Sequence, residues 1–166
     1  ISPLAYLAAK TSRIRLGTGI MQISARVPAM TAMTALTMAA ISSDRFILGL
    51  GASGPQVVEG LRGRPFKAPL TRMKETVEIV RLAFAGEKIE YHGKYHELPL
   101  PGGQGKALRL SQPGNPNIPI YLATLGPQSL EYTGAAADGW LGTSFTPEHA
   151  DAHLGYLRRG AESAGR

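Results

Sequence analysis

Cysteine is absent from the 166-residue sequence, which excludes disulfide frameworks, thiolate metal sites and a cysteine nucleophile, and suits a cytoplasmic protein. No apolar run approaches the roughly 20 residues that cross a bilayer. No basic-then-apolar leader opens the sequence at Ile1, although a segment upstream of Ile1 would hide one. Charged residues are few, 18% against 43% hydrophobic, a balance that rules out wholesale disorder and supports a packed core. Aromatics make up 7%, with one tryptophan. The net charge of +6 therefore comes without an aromatic platform, and the 18 Lys and Arg are scattered along the chain, which argues against nucleic acid as a partner. The expected partner is a small molecule, with no membrane.

What is present has a clear order. The chain opens inside an apolar helical pattern (Ile1, Leu4, Ala5, Ala8) and stops in another (Leu154, Leu157, Ala161), so it reads as a fragment of a longer protein. Arg13 to Ile20 alternates as a strand, and Met30, Met33, Leu36, Thr37 and Ala40 recur at helical spacing after Pro28. Phe46 to Gly51 is a nearly continuous apolar strand of the kind buried on both faces of a parallel sheet. After a loop rich in Gly and Pro, Leu70, Met73, Val77, Val80 and Phe84 give the clearest helix, ended by Gly86. Ile89 to Leu98 reads as a hairpin turning at His92, Gly93 and Lys94, inside an excursion over about residues 87–117. Strand Ile118 to Leu125, helix Gln128 to Ala137, strand Gly139 to Thr143 and helix Pro147 to Ala164 complete the pattern.

Strands alternating with helices predict an α/β fold with parallel pairing and right-handed crossovers. Barrel and open sheet both satisfy that order. About four β/α units are present, whereas a (β/α)8 barrel has eight in roughly 250 residues. Half a barrel would leave two open parallel edges.

Gly49, Gly51 and Gly54 spell G-x-G-x-x-G directly after a strand. A dinucleotide site would need a helix starting at that loop and an acid ending the next strand, yet Pro55, Gly60, Gly63, Pro65 and Pro69 delay the helix and Glu75 falls in its middle. The glycines serve either a tight turn or the close approach of an anion or flat ring. His149 and His153, one helical turn apart, lack the H-E-x-x-H pattern and read as a solvated face, so no metal site is assigned. His92 and His96 flank the hairpin turn and read as exposed. Met30, Met33 and Met38 read as helix packing.

Several blocks in one order, G-T-G-I-M-Q (Gly17 to Gln22), R-x-P (Arg26 to Pro28) and L-G-L-G-A-S-G-P-Q-V-V-E-G (Leu48 to Gly60), resemble the luciferase-like family, particularly its deazaflavin-dependent members. The likeness continues through R-x-K-E (Arg72 to Glu75), Y-x-G-K-Y (Tyr91 to Tyr95), P-I-Y-L-A-T-L-G-P (Pro119 to Pro127) and A-D-G-W (Ala137 to Trp140), and spans residues 1–166 as one partial domain. The resemblance implies part of a (β/α)8 TIM barrel, the third to sixth units. It implies a cis peptide at Gly19–Ile20, Ala52, Ser53 and Gly54 against the cofactor, and backbone amides of Thr124, Leu125 and Gly126 toward its phosphate, a placement that a free helix N-terminus also favours. Gly139 and Trp140 would follow on the next strand.

By the same resemblance the activity would be hydride transfer between coenzyme F420 and a small organic substrate. The alternatives are a monooxygenase using FMN on the same fold, and a non-catalytic or truncated barrel. Some relatives carry a carboxylate where this chain has Ala52 to Gly54. No proton-transfer residue is therefore assigned, and pairing of two barrels through helices is compatible with the family.

Overall fold

A computed structural model describes residues 1–143 and 145–166. The chain begins with helix α1 (Ser2–Lys10), two short strands β1 (Leu16–Gly17) and β2 (Met21–Gln22), and helix α2 (Pro28–Ser42). Strand β3 (Phe46–Gly51) leads through the short α3 (Pro55–Val58) to α4 (Pro69–Phe84), and a hairpin of β4 (Tyr91–His92) and β5 (Glu97–Leu98) follows. Then come β6 (Ile120–Ala123), α5 (Pro127–Ala136), β7 (Gly139–Trp140), a 3-10 turn (Pro147–His149) and α6 (Asp151–Ser163). The main sheet runs β1/β2, β3, β6, β7, every pair parallel. Each strand position is followed by a helix, so four β/α units are present and the fold is the expected α/β arc.

Alternation along the central strands divides the sheet into two faces. Leu48 pairs with Ile120 and Leu50 with Leu122, all fully buried. Against them pack Ala32, Ala35, Leu36 and Ala39 of α2 and Met73, Val77, Val80 and Phe84 of α4, the 3, 4 spacing read from the sequence. Burying each large side chain contributes roughly 1.5–3 kcal/mol, so this layer carries most of the stability. Gly49 pairs with Tyr121 and Gly51 with Ala123 on the opposite face.

Register along β3 explains the glycines. Leu16 pairs with Phe46 but Met21 with Leu50, so five steps on one strand match four on the other, a one-residue bulge between β1 and β2. Thr18 fills the interrupted ladder: its hydroxyl donates to the Gly49 carbonyl at 2.8 Å and accepts from the Gly49 N–H at 2.9 Å. A Cβ at Gly49 would lie 1.9 Å from the Thr18 carbonyl oxygen, and one at Gly51 would lie 2.0 Å from Ile20 Cδ1. The first glycine of the G-x-G-x-x-G pattern is thus required by the bulge, and the second leaves room for the Ile20 side chain. The peptide Gly19–Ile20 is cis, as the resemblance implied.

The amino ends of the strands are tied by side chains. Arg45, just before β3, donates to the carbonyls of Ala8, Thr11, Ile14 and Ser42 at 2.6–3.0 Å and to the Thr11 hydroxyl at 3.1 Å. It clamps the end of α1, the approach to β1 and the end of α2 together. Asp138, before β7, accepts from the Ile120 N–H at 2.7 Å and pairs with Arg81 at 2.6 Å, which accounts for the acid of the A-D-G-W block.

Several expected boundaries shift. The strand read over Arg13 to Ile20 is divided by the bulge, and the one read over Gly139 to Thr143 pairs only at Gly139–Trp140. The hairpin pairs His92 with Glu97, so its loop is residues 93–96 rather than a turn at His92 to Lys94. The loop after β3 contains the one-turn helix α3, which starts at Pro55 within a glycine-rich stretch that reads as loop.

Candidate functional site

The carboxyl ends of three strands stand abreast, because Gln22 is in register with Gly51 and Gly51 with Ala123. In a β/α fold this end of the sheet is also where the following helices begin, so free N–H groups gather there. The register brings the expected cofactor residues to one rim: Ala52, Ser53 and Gly54 leave β3 where Thr124, Leu125 and Gly126 leave β6, and Ile20 packs beneath Gly51.

Each group has a distinct local cause. Ala52, Ser53 and Gly54 are half-buried and small, leaving backbone accessible at the rim. Ser53 has φ +63°, in the left-handed region that costs a non-glycine residue about 1 kcal/mol. Leu125 and Gly126 are exposed, and Gly126 is the N-cap of α5 with no side-chain cap and no acid in the first turn. That helix end presents unpaired N–H groups and a positive dipole. Thr124 is turned the other way. Its hydroxyl donates to Thr133 at 2.7 Å, since the Thr133 hydrogen goes to the Ser129 carbonyl, and its carbonyl accepts from Trp140 Nε1 at 2.8 Å. Thr124 therefore offers the rim its backbone N–H alone.

Trp140 is half-buried, with His153 stacked on it at 5.2 Å. His149 lies in the 3-10 turn and not on α6, with Nδ1 3.1 Å from the Thr146 hydroxyl. The two histidines therefore do not share the single solvated face read from their spacing. Among the described residues no cluster of three or more His, Cys, Asp or Glu is placed to hold a metal ion.

Beside the rim opens a cleft of about 280 Å³, walled by Ala52, the loop after β2, the loop before α4, and His96. His96 was expected to be exposed, but its side chain is 21% exposed. The reason is Glu75, 6% exposed, which accepts from His96 Nδ1 at 2.8 Å and from the Lys94 and Tyr95 N–H groups at 2.7 and 3.0 Å. Burial pushes the Glu75 carboxyl up, but the His96 hydrogen bond and the two backbone N–H groups outweigh it and hold it below the usual carboxylate range. A carboxylate only accepts, so the bond places an Nδ1–H on the side of Glu75 and fixes the orientation of the ring. Sequence reasoning missed this pair. The signal was that R-x-K-E and Y-x-G-K-Y both belong to the family pattern; the fold makes them meet.

A parallel sheet flanked by helices, with small residues and an uncapped helix N-terminus at the carboxyl ends of its strands, defines an arc of a β/α barrel. The luciferase-like monooxygenase family model matches residues 1–166, and the chain belongs to that family. A protein of Mycobacterium tuberculosis provisionally named coenzyme F420-dependent oxidoreductase is 42% identical over 165 residues, covering 96% of this chain and 48% of its own. The coenzyme F420-dependent tetrahydromethanopterin reductase of Methanopyrus kandleri superposes with TM-score 0.87 at 28% identity, over 99% of this chain and 50% of its own. A monooxygenase of Streptomyces bottropensis superposes with TM-score 0.82 at 26% identity, over 99% of this chain and 49% of its own. The chain spans about half the length of the relatives it matches. No described helix is long and apolar enough to cross a membrane.

Proposed function

We propose that this chain supplies the cofactor-holding rim of an oxidoreductase that transfers hydride between coenzyme F420 and a small organic substrate. The observation that carries the reading is the rim itself: Ala52, Ser53 and Gly54 beside the uncapped start of α5, over a bulge that seats Ile20 under Gly51. The names of the Mycobacterium tuberculosis and Methanopyrus kandleri relatives support the choice of deazaflavin. When bound, the deazaflavin supplies a carbon that donates or accepts hydride.

The residues of this chain have three tasks. Gly19 and Ile20 on the bulge and the small Ala52, Ser53 and Gly54 beside it would support the ring. The N–H groups at Thr124, Leu125 and Gly126 would hold a phosphate, favoured by the α5 dipole. His96, its ring oriented by Glu75, would face a substrate from the adjoining cleft wall. Pairing of two barrels and a cytoplasmic setting belong to the same proposal.

The test is fluorescence titration of the chain, and of the same protein extended to the length of its relatives, with oxidised F420 and with FMN. Selective binding of F420 supports the reading. Preference for FMN would replace it with the monooxygenase, in keeping with the Streptomyces bottropensis relative. Binding of neither by the extended protein would leave a non-catalytic barrel.

A further inference from the structure

Gln22, Gly51 and Ala123 end three adjacent strands side by side. Successive residues of a strand face opposite sides of the sheet, and Met21, in register with Leu50, is buried in the core. Gln22 is therefore turned to the other face, the one it shares with Gly51 and Ala123. Of the three it alone carries a polar side chain, and its neighbours offer only a hydrogen and a methyl group beside it.

That side chain is held from a distant part of the chain. Arg62, in the loop after α3, donates from Nε to Gln22 Oε1 at 3.1 Å and from Nη2 to the same oxygen. The loop is itself wound onto α3: the N–H groups of Leu61, Gly63 and Arg64 donate to the carbonyls of Val57, Glu59 and Val58 at 3.1, 3.1 and 3.2 Å. Arg62 forms no ion pair among the described residues, so a cation gives both N–H groups to one neutral amide. A guanidinium only donates, so the atom facing it is the amide oxygen and the orientation of the group is settled. Gln22 Nε2 is left with its N–H groups making no hydrogen bond among the described residues. A cation bound to the oxygen also draws electrons from the amide nitrogen and strengthens those N–H groups as donors.

We infer that Gln22 contacts the substrate, its Nε2 donating to a carbonyl oxygen, and that Arg62 is the positioning residue that fixes and polarises the amide. Free donors without a free acceptor select a group that only accepts, a ketone or an aldehyde, against a protonated amine, which only donates. The place suits the role. Ile20 packs beneath Gly51, the residue in register with Gln22, so the amide stands at the edge of the ring support. The carbonyl substrate rests on the hydride-transfer reading, whereas the donor rests on the geometry.

The probe is cyclohexanone, added with and without F420 to isotope-labelled protein extended to the length of its relatives and followed by NMR. The side-chain amide signals of Gln22, assigned by their loss in Gln22→Leu, are expected to shift saturably. Gln22→Glu keeps the shape and turns the Arg62 contact into an ion pair, so the melting temperature should hold or rise. Its carboxylate, however, meets the ketone with an acceptor, and cyclohexanone affinity should fall about tenfold or more. In Arg62→Met the amide is released, and cyclohexanone affinity should fall while F420 affinity stays that of the parent. Arg62→Lys, which can still donate to Oε1, should recover part of the loss. Absence of a saturable shift both with and without F420, or a folded Gln22→Glu variant that binds cyclohexanone as the parent does, overturns the inference. Failure of the parent to bind F420 sinks the reading of the rim instead, and the titration without cofactor still decides the role of Gln22.

Discussion

The two ends of one sheet are built on opposite principles. At the amino ends, polar side chains are spent on the protein itself: Arg45 makes five hydrogen bonds, Asp138 joins β6 to Arg81, and Asn115 donates to Asp44 at 2.8 Å. At the carboxyl ends, three long helices start uncapped, and Arg26, Arg64, Lys67 and Arg72 on the cleft form no ion pair among the described residues. Saturated polar groups indicate a structural end, and unsatisfied ones a working end. The same backbone polarity produces both, since helices begin where parallel strands finish.

The largest effect that would break this contrast is expected at Arg45. Arg45→Met removes five hydrogen bonds and leaves four carbonyls short of a donor, which should destabilise the chain by about 3 kcal/mol in urea unfolding. A loss below about 0.5 kcal/mol would show that the clamp is not what holds the amino end.

Glu75 is the exception, a saturated carboxylate on the wall of the working end, and it sharpens the comparison. Glu75→Gln keeps the shape but weakens three acceptor contacts, and a loss of about 1–2 kcal/mol is expected. Its carboxyl pKa is lower in the folded than in the unfolded chain, so its contribution is fully present above the unfolded value, about 4.3, and is lost as the pH falls through the folded one. The acid limb of the stability profile should therefore flatten in the variant. An unchanged limb would show that the Glu75 bonds do not couple to folding.

Much of this division was legible in the sequence, and the part that was not has a physical reason. Apolar periodicity located α2, α4 and β3 because those elements bury a continuous stripe, and the family blocks located the rim residues and the cis peptide. Long-range meetings were not legible. Nothing local to Glu75 announces that its carboxylate closes the 93–96 loop, and nothing local to Arg26 or Lys67 announces that they share a cleft. The bulge was similarly hidden: Thr18 reads as an ordinary strand residue until its hydroxyl is seen to replace a ladder bond of Gly49. The glycines of the false dinucleotide pattern were visible as letters, but their cause lies in the neighbouring strand.

A smaller stability effect also separates the two ends. Ser53→Gly should stabilise the fold by about 0.5 kcal/mol, because glycine adopts the left-handed conformation without the Cβ penalty. Thermal unfolding that shows a loss instead would mean that the Ser53 side chain supports the rim.

The most direct measurement is F420 affinity in the Gly126→Asp variant. Gly126 caps α5 with extended backbone, and a Cβ there would meet nothing closer than Ser129 Oγ at 3.6 Å, so aspartate fits and should raise helix stability by a few tenths of a kcal/mol, as an acidic N-cap does. The same carboxylate takes the place of an incoming phosphate. The account predicts F420 binding weakened by about tenfold or more with the melting temperature unchanged or raised. Unaltered F420 affinity in the folded variant would contradict it, and would move the cofactor's phosphate away from the start of α5.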